Sequence, residues 1–200
     1  EELHARAIRT LDIFLTTLLD RTGGKVPDNF VVTLPKIVTP AQVTTLVDIF
    51  DEIEPKLGLA AGSLKMEMMV ETTQSIIAAD GSSGLPKMLK AARGRCVAAH
   101  FGTYDYTASC SITAAYQDML HPACDFARHM MQVAFGGTGV WLSDGATNIM
   151  PVAPHRGHGL RRRSRPDARL SWMWEHAPST RGDLAAAVTS RIGSIAEIAS

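Results

Sequence analysis

Lys65-Met66-Glu67-Met68-Met69-Val70-Glu71 is the stretch on which the fold turns. Side chains alternate along a strand, so Met66, Met68 and Val70 share one face and Lys65, Glu67, Met69 and Glu71 the other. The apolar set suits a face packed under helices. The other face then carries two carboxylates away from bulk water, which costs several kcal/mol each unless they are paired or metal-bound. A solvated edge strand with a Lys/Glu pair is the simpler alternative, and Met66, Met68 and Val70 leave it little room.

Similar runs lie on either side. Phe30-Val31-Val32-Thr33-Leu34, closed by Pro35, reads as a short buried strand. Cys96 to Phe101 reads as another, and Val140-Trp141-Leu142, after the Gly136–Gly139 cluster, as a fourth. Between them the apolar spacing is helical. Leu3, Ala7, Leu11, Phe14, Leu15, Leu18 and Leu19 mark a helix over residues 1–20, ended by Thr22-Gly23-Gly24. Thr39 and Pro40 start another, with Val43, Leu46, Val47 and Phe50 on its face. Further helices are expected over 72–79, near 87–92, and over 112–134 with a break at His121-Pro122. Strands alternating with helices imply βα units and an α/β fold with parallel strands. No Gly-x-Gly-x-x-Gly follows a strand and no P-loop occurs, so a nucleotide-binding sheet gives way to a barrel, whose chemistry sits in the loops after each strand.

Composition bounds the rest. The chain has 200 residues and 20 basic against 20 acidic side chains. Zero formal charge predicts no nucleic-acid partner, and no apolar run reaches the length of a bilayer span. Cys96, Cys110 and Cys124 lack metal-ligand spacing and read as apolar fillers of a reducing, cytoplasmic compartment. After about residue 155 the character changes: six arginines fall within 155–169 and no lysine follows Lys90. Residues 1–153 are therefore read as one domain and 154–200 as an Arg-rich tail, with a possible helix over 183–199.

Candidate chemistry gathers at the strand ends. Glu71 closes the second strand and stands at the catalytic rim. Asp105 opens the loop after the third, in Gly102-Thr103-Tyr104-Asp105; alternatively it caps the next helix. Two carboxylates from consecutive strand ends, with oxygen donors only, suit Mg²⁺ or Mn²⁺. His100 faces either the rim or a hydrogen-bonded core position. Asp144 is a supporting acid or an Asp-Gly turn residue. Lys36 is an anion contact at the rim or a surface lysine.

The motifs Leu34-Pro35-Lys36-Ile37, Val70-Glu71-Thr72 and Ala99-His100-Phe101-Gly102-Thr103-Tyr104-Asp105-Tyr106-Thr107-Ala108, in that order, resemble the citrate lyase β-subunit and HpcH/HpaI aldolase family. That family belongs to the phosphoenolpyruvate/pyruvate-binding TIM-barrel superfamily. The resemblance covers roughly residues 1–153. It implies a partial (β/α)8 barrel, about strands four to seven, and a metal-dependent carbon–carbon lyase acting on a 2-oxo acid or acyl-CoA. By the same resemblance Glu71 and Asp105 hold Mg²⁺ or Mn²⁺, and Gly102 and Thr103 contact the substrate carboxylate. Tyr104 and Asp144 join the expected substrate contacts, and His100 and Lys36 the expected catalytic groups. The longer linker between the two acids is expected to be an insertion at Asp80–Gly84 on the far side of the barrel. The family's enolate-stabilising arginine has no counterpart on the visible strands, so the chain reads as part of a longer enzyme or as a remnant. Open sheet edges then predict a homo-oligomer.

Overall fold

A 21-residue helix, α1 (Glu2–Thr22), opens the part of the chain that the computed structural model describes, residues 2–146. Leu15 and Leu19 are its buried contacts with the core, while Ile8, Ile13 and Phe14 remain exposed. Strand β1 (Val31–Leu34) follows, then α2 (Pro40–Lys56). Helix α2 starts as the sequence predicts, with Thr39 at the N-cap and proline in the first turn, and Gln42 Oε1 accepts the Thr39 N–H at 3.0 Å. Strand β2 (Lys65–Val70) leads through the single turn α3 (Thr73–Ile76) into α4 (Gly84–Ala91). Strand β3 (Cys96–Phe101), helices α5 (Thr103–Ser109) and α6 (Pro122–Phe135) and strand β4 (Trp141–Ser143) complete the order.

All neighbouring strands pair in parallel, in the order β1-β2-β3-β4. Strands adjacent in sequence are therefore adjacent in space, as in an arc of a (β/α)8 barrel. The α/β partial-barrel expectation holds for the described residues. Met66, Met68 and Val70 are the buried face of β2, and Lys65, Glu67 and Met69 its half-buried face. Burying those three apolar side chains is worth about 1.5–3 kcal/mol each. In β3 the alternation slips, because the register moves from Met66↔Cys96 to Glu67↔Ala98. The extra residue is a bulge, and it puts Cys96, Ala99 and Phe101 all on the buried side.

Three helix expectations are corrected. The helix over 72–79 shrinks to Thr73–Ile76, because Ile77 turns extended and bridges to Ser83 while Ala78 N–H donates to Ser82 O at 2.8 Å. The Asp80–Gly84 loop lies between β2 and α4, at the carboxyl end of the sheet and not on its far side. The helix over 112–134 is only Pro122–Phe135, preceded by a 3₁₀ turn at Ala114–Tyr116. Proline forces His121 into extended backbone, and the His121 ring caps the new helix by accepting Ala123 N–H at 3.1 Å. Helix α5 occupies what the sequence suggests is a loop.

At the opposite, amino end of the sheet lies a buried ion pair that the sequence did not announce. Arg95 precedes β3 and donates to both oxygens of Glu54 on α2, at 2.6 and 2.8 Å, and to Leu64 O at 3.0 Å. Glu54 also accepts the N–H groups of Gly62 and Leu64. Burial pushes the Glu54 carboxyl up, but these donors outweigh it and hold it at about 2. The three cysteines are free; Cys96 and Cys124 are buried, whereas Cys110 is only half-buried. No helix among the described residues is long and apolar enough to cross a membrane. The expected Arg-rich tail, its helix over 183–199 and the domain end at 153 lie outside the described residues.

Candidate metal centre

Glu71 is the first residue past β2, and its side chain is 3% exposed. Two elements enclose it. The backbone N–H of Lys36, just past β1, donates to Glu71 Oε1 at 2.6 Å. From the other side Gly102, the cap of α5, comes so close that a Cβ there would lie 2.6 Å from Glu71 Cβ and 2.7 Å from its Oε2. Only glycine lets the backbone pass.

Asp105 stands in the first turn of α5, so it is neither a loop residue nor the helix cap; Gly102 holds the cap position. The positive end of the helix still favours its charge. Its carboxylate accepts Lys36 Nζ at 2.7 Å, so Lys36 links it to Glu71, whose Oε1 accepts the Lys36 N–H. Burial, opposed by the Lys36 N–H and reinforced by the neighbouring Asp105 charge, pushes Glu71 up to about 7. Burial also pushes Asp105 upward, but the Lys36 ammonium and the Glu71 hydrogen bond outweigh it and leave Asp105 below its ordinary range. The Lys36 pKa is raised by its hydrogen bond to Asp105.

The structure thus joins three of the expected residues, Glu71, Asp105 and Lys36. Thr103 and Gly102 flank them. Thr103 is 2% exposed, and its hydroxyl has no partner among the described residues. Gly145, after β4, packs so tightly on it that a Cβ would lie 2.1 Å from Thr103 Oγ1. Tyr104 is half-buried in the first turn of α5. His100 points elsewhere: its Nδ1 hydrogen-bonds Ser143 Oγ at 2.8 Å, and no hydrogen bond joins it to either acid. Burial lowers its pKa against the pull of Glu67 and Asp144. Asp144 accepts Gly145 N–H, as a turn residue does, and also Arg128 Nε, both at 2.7 Å.

Arg128 is the residue that sequence reasoning missed. It lies 5.2 Å over the Phe101 ring and also donates to Met119 O at 2.5 Å. One signal was available. Cys124, Ala127, Met131 and Phe135 form the buried stripe of α6, and Arg128 borders it four residues after Cys124. Among the described residues no arginine pairs with Glu71 or Asp105.

The donor set fits a hard divalent cation. The two acids offer oxygens alone, both contact the same lysine, and the partnerless Thr103 hydroxyl lies next to Gly102. No group of three or more His, Cys, Asp or Glu residues suited to a metal exists among the described residues. Water or substrate oxygens would fill the remaining positions, which is the habit of Mg²⁺.

Comparison with known proteins places the chain as follows. It is similar to the crystal structure of a citrate lyase from Burkholderia xenovorans LB400, with 19% identity and a TM-score of 0.48, over 61% of this chain and 37% of that one. It is also similar to an HpcH/HpaI aldolase/citrate lyase family protein from Burkholderia cenocepacia J2315, with 16% identity and a TM-score of 0.43, over 57% of this chain and 49% of that one. The chain therefore spans less than half the length of either. No curated protein matches it. Residues 1–190 match the model of one family, and the chain belongs to that family, described as Domain of unknown function (DUF6986).

Proposed function

We propose that the chain carries the metal-ligand half of a carbon–carbon lyase or aldolase-like site for a 2-oxo acid or acyl-CoA. The observation that carries this reading is that Lys36 touches both Glu71, just past β2, and Asp105, in the first turn after β3, beside the close approach of Gly102 to Glu71. Glu71 and Asp105 hold Mg²⁺ or Mn²⁺. The cation supplies positive charge where negative charge develops on a carbonyl oxygen. Gly102, Thr103 and Tyr104, at the start of α5, receive the substrate carboxylate, and Asp144, after β4, is a further substrate contact. Lys36, which touches both acids, is the group placed to hold or move a proton there, with His100, on β3 beside Ser143, the other expected catalytic group. The proposed setting is cytoplasmic.

One observation favours a second reading, a remnant that binds metal and ligand without turnover. No arginine of the described residues reaches the acid pair. Two measurements separate these readings. In Mn²⁺ titration, Glu71→Ala and Asp105→Ala should each weaken binding by more than about 100-fold, since losing even a group that merely supports a ligand costs about 10–100-fold. Unchanged binding sinks the metal site. Oxaloacetate decarboxylation and retro-aldol cleavage by the intact chain then distinguish an enzyme from a remnant.

A further inference from the structure

Lys36 touches both acids with two different groups. Its N–H donates to Glu71 Oε1 at 2.6 Å and its Nζ to Asp105 Oδ2 at 2.7 Å. The backbone makes this possible by an unusual route: Lys36 has φ +51°, a left-handed conformation rare for a side-chain-bearing residue. The turn is pinned from behind, because Thr72 Oγ1 donates to the carbonyl of buried Ile37 at 2.6 Å. The N–H contact is therefore fixed by the fold. The ammonium contact is not, for the Lys36 side chain is 51% exposed and free to swing into water.

A divalent ion bound to Asp105 would lie about 2.0–2.1 Å from a carboxylate oxygen. The ammonium already sits in contact with that carboxylate. An ammonium and a divalent cation held on one exposed carboxylate repel each other, which disfavours their occupying it together. We propose that the Lys36 ammonium is a built-in placeholder: it neutralises the Glu71–Asp105 pair when no metal is bound, and a divalent cation must displace it to enter. This rests on the metal reading given above. It makes Lys36 a residue that lowers metal affinity while its backbone orients Glu71. An exposed ion pair is weak, so the competition is modest and reversible.

The test is Mn²⁺ binding, followed by the paramagnetic resonance signal of the free ion, in the full chain. Lys36→Met removes the charge and cannot ligate a hard cation. Lys36→Gly removes the side chain, suits the positive φ and keeps the N–H, so it guards against a folding artefact. Both variants should bind Mn²⁺ about two- to fivefold more tightly than the parent. In the parent, Mg²⁺ should also release the Lys36 ammonium, seen as faster exchange of its protons by nitrogen-detected NMR. Equal or weaker binding by both Lys36 variants overturns the placeholder while leaving the metal site intact, provided that Glu71→Gln and Asp105→Asn lose the ion. If those two acid variants bind Mn²⁺ like the parent, the metal reading fails and the displacement fails with it.

Discussion

At the scale of single residues, the acid pair makes a pH-dependent claim. Glu71 is buried and has its pKa raised from 4.5 to about 7. A carboxyl with a raised folded-state pKa contributes stability that is full below its ordinary value and is lost as pH rises through the folded one. For Glu71 that window runs from 4.5 to about 7. Asp105 is shifted the other way, so its contribution is present above 3.8 and is lost only on stronger acidification. Glutamine mimics the protonated Glu71: its carbonyl still accepts the Lys36 N–H, and its amide donates to Asp105. In metal-free buffer Glu71→Gln should therefore be more stable than the parent at pH 8, by on the order of 2–3 kcal/mol, and little different at pH 5. Urea midpoints at the two pH values measure it. An equal effect at both would show that proton sharing is not the cause. The sequence made Glu71 and Asp105 legible because alternation and strand ends are local patterns. It left Lys36 between two roles, since nothing local says that the residue after Pro35 reaches across to two other strand ends. The Thr103–Gly145 packing was equally hidden, because it joins the start of α5 to the segment after β4, 42 positions apart in sequence.

At the scale of elements, the α2–β3 junction is held by charge rather than by apolar packing alone. Arg95 and Glu54 are both buried, and Arg95 also lies 5.7 Å over the Phe50 ring. Arg95→Met leaves the Glu54 carboxylate in a dry site with only two backbone donors, Gly62 and Leu64. Breaking such a pair from one side costs about 3–5 kcal/mol. The double variant Arg95→Met, Glu54→Gln removes the orphan charge and should recover a large part of that loss in chemical denaturation. No recovery would mean that Arg95 acts through its aliphatic and ring contacts instead. This pair was illegible in sequence because its partners lie 41 positions apart and each looks like a surface residue in its own element. The strands were legible, since β-branched and alternating runs mark them directly. The helices after β2 and before α6 were overread, because apolar spacing of 3.6 also occurs in loops whose backbone bonds locally. Helix α5 was underread for a reason of length: Thr103–Ser109 makes barely two turns, too few for periodicity to show.

At the scale of the whole described unit, parallel order and apolar pattern were readable, and closure was not. A sheet of four sequential strands leaves β1 and β4 with one unpaired edge each among the described residues. Unpaired strand edges are templates for association. The β4 edge is also apolar: Trp141 is 67% exposed, and exposed Leu142 follows it. Formal charge offers no opposition, because 20 basic and 20 acidic side chains cancel and leave no long-range repulsion between copies. The chain should therefore elute from size-exclusion columns above its 21.6 kDa mass, increasingly so as concentration rises. Trp141→Lys places a charge on that edge without touching the acid pair, which lies at the ends of β2 and β3. It should shift the profile toward the monomer and leave Mn²⁺ binding unchanged, because edge lysines oppose strand pairing by desolvation and repulsion. A parent that runs as a monomer at every concentration would refute the open-edge argument. A Trp141→Lys variant that still associates would move the contact to another surface, with exposed Val133 and Phe126 on α6 the next to substitute.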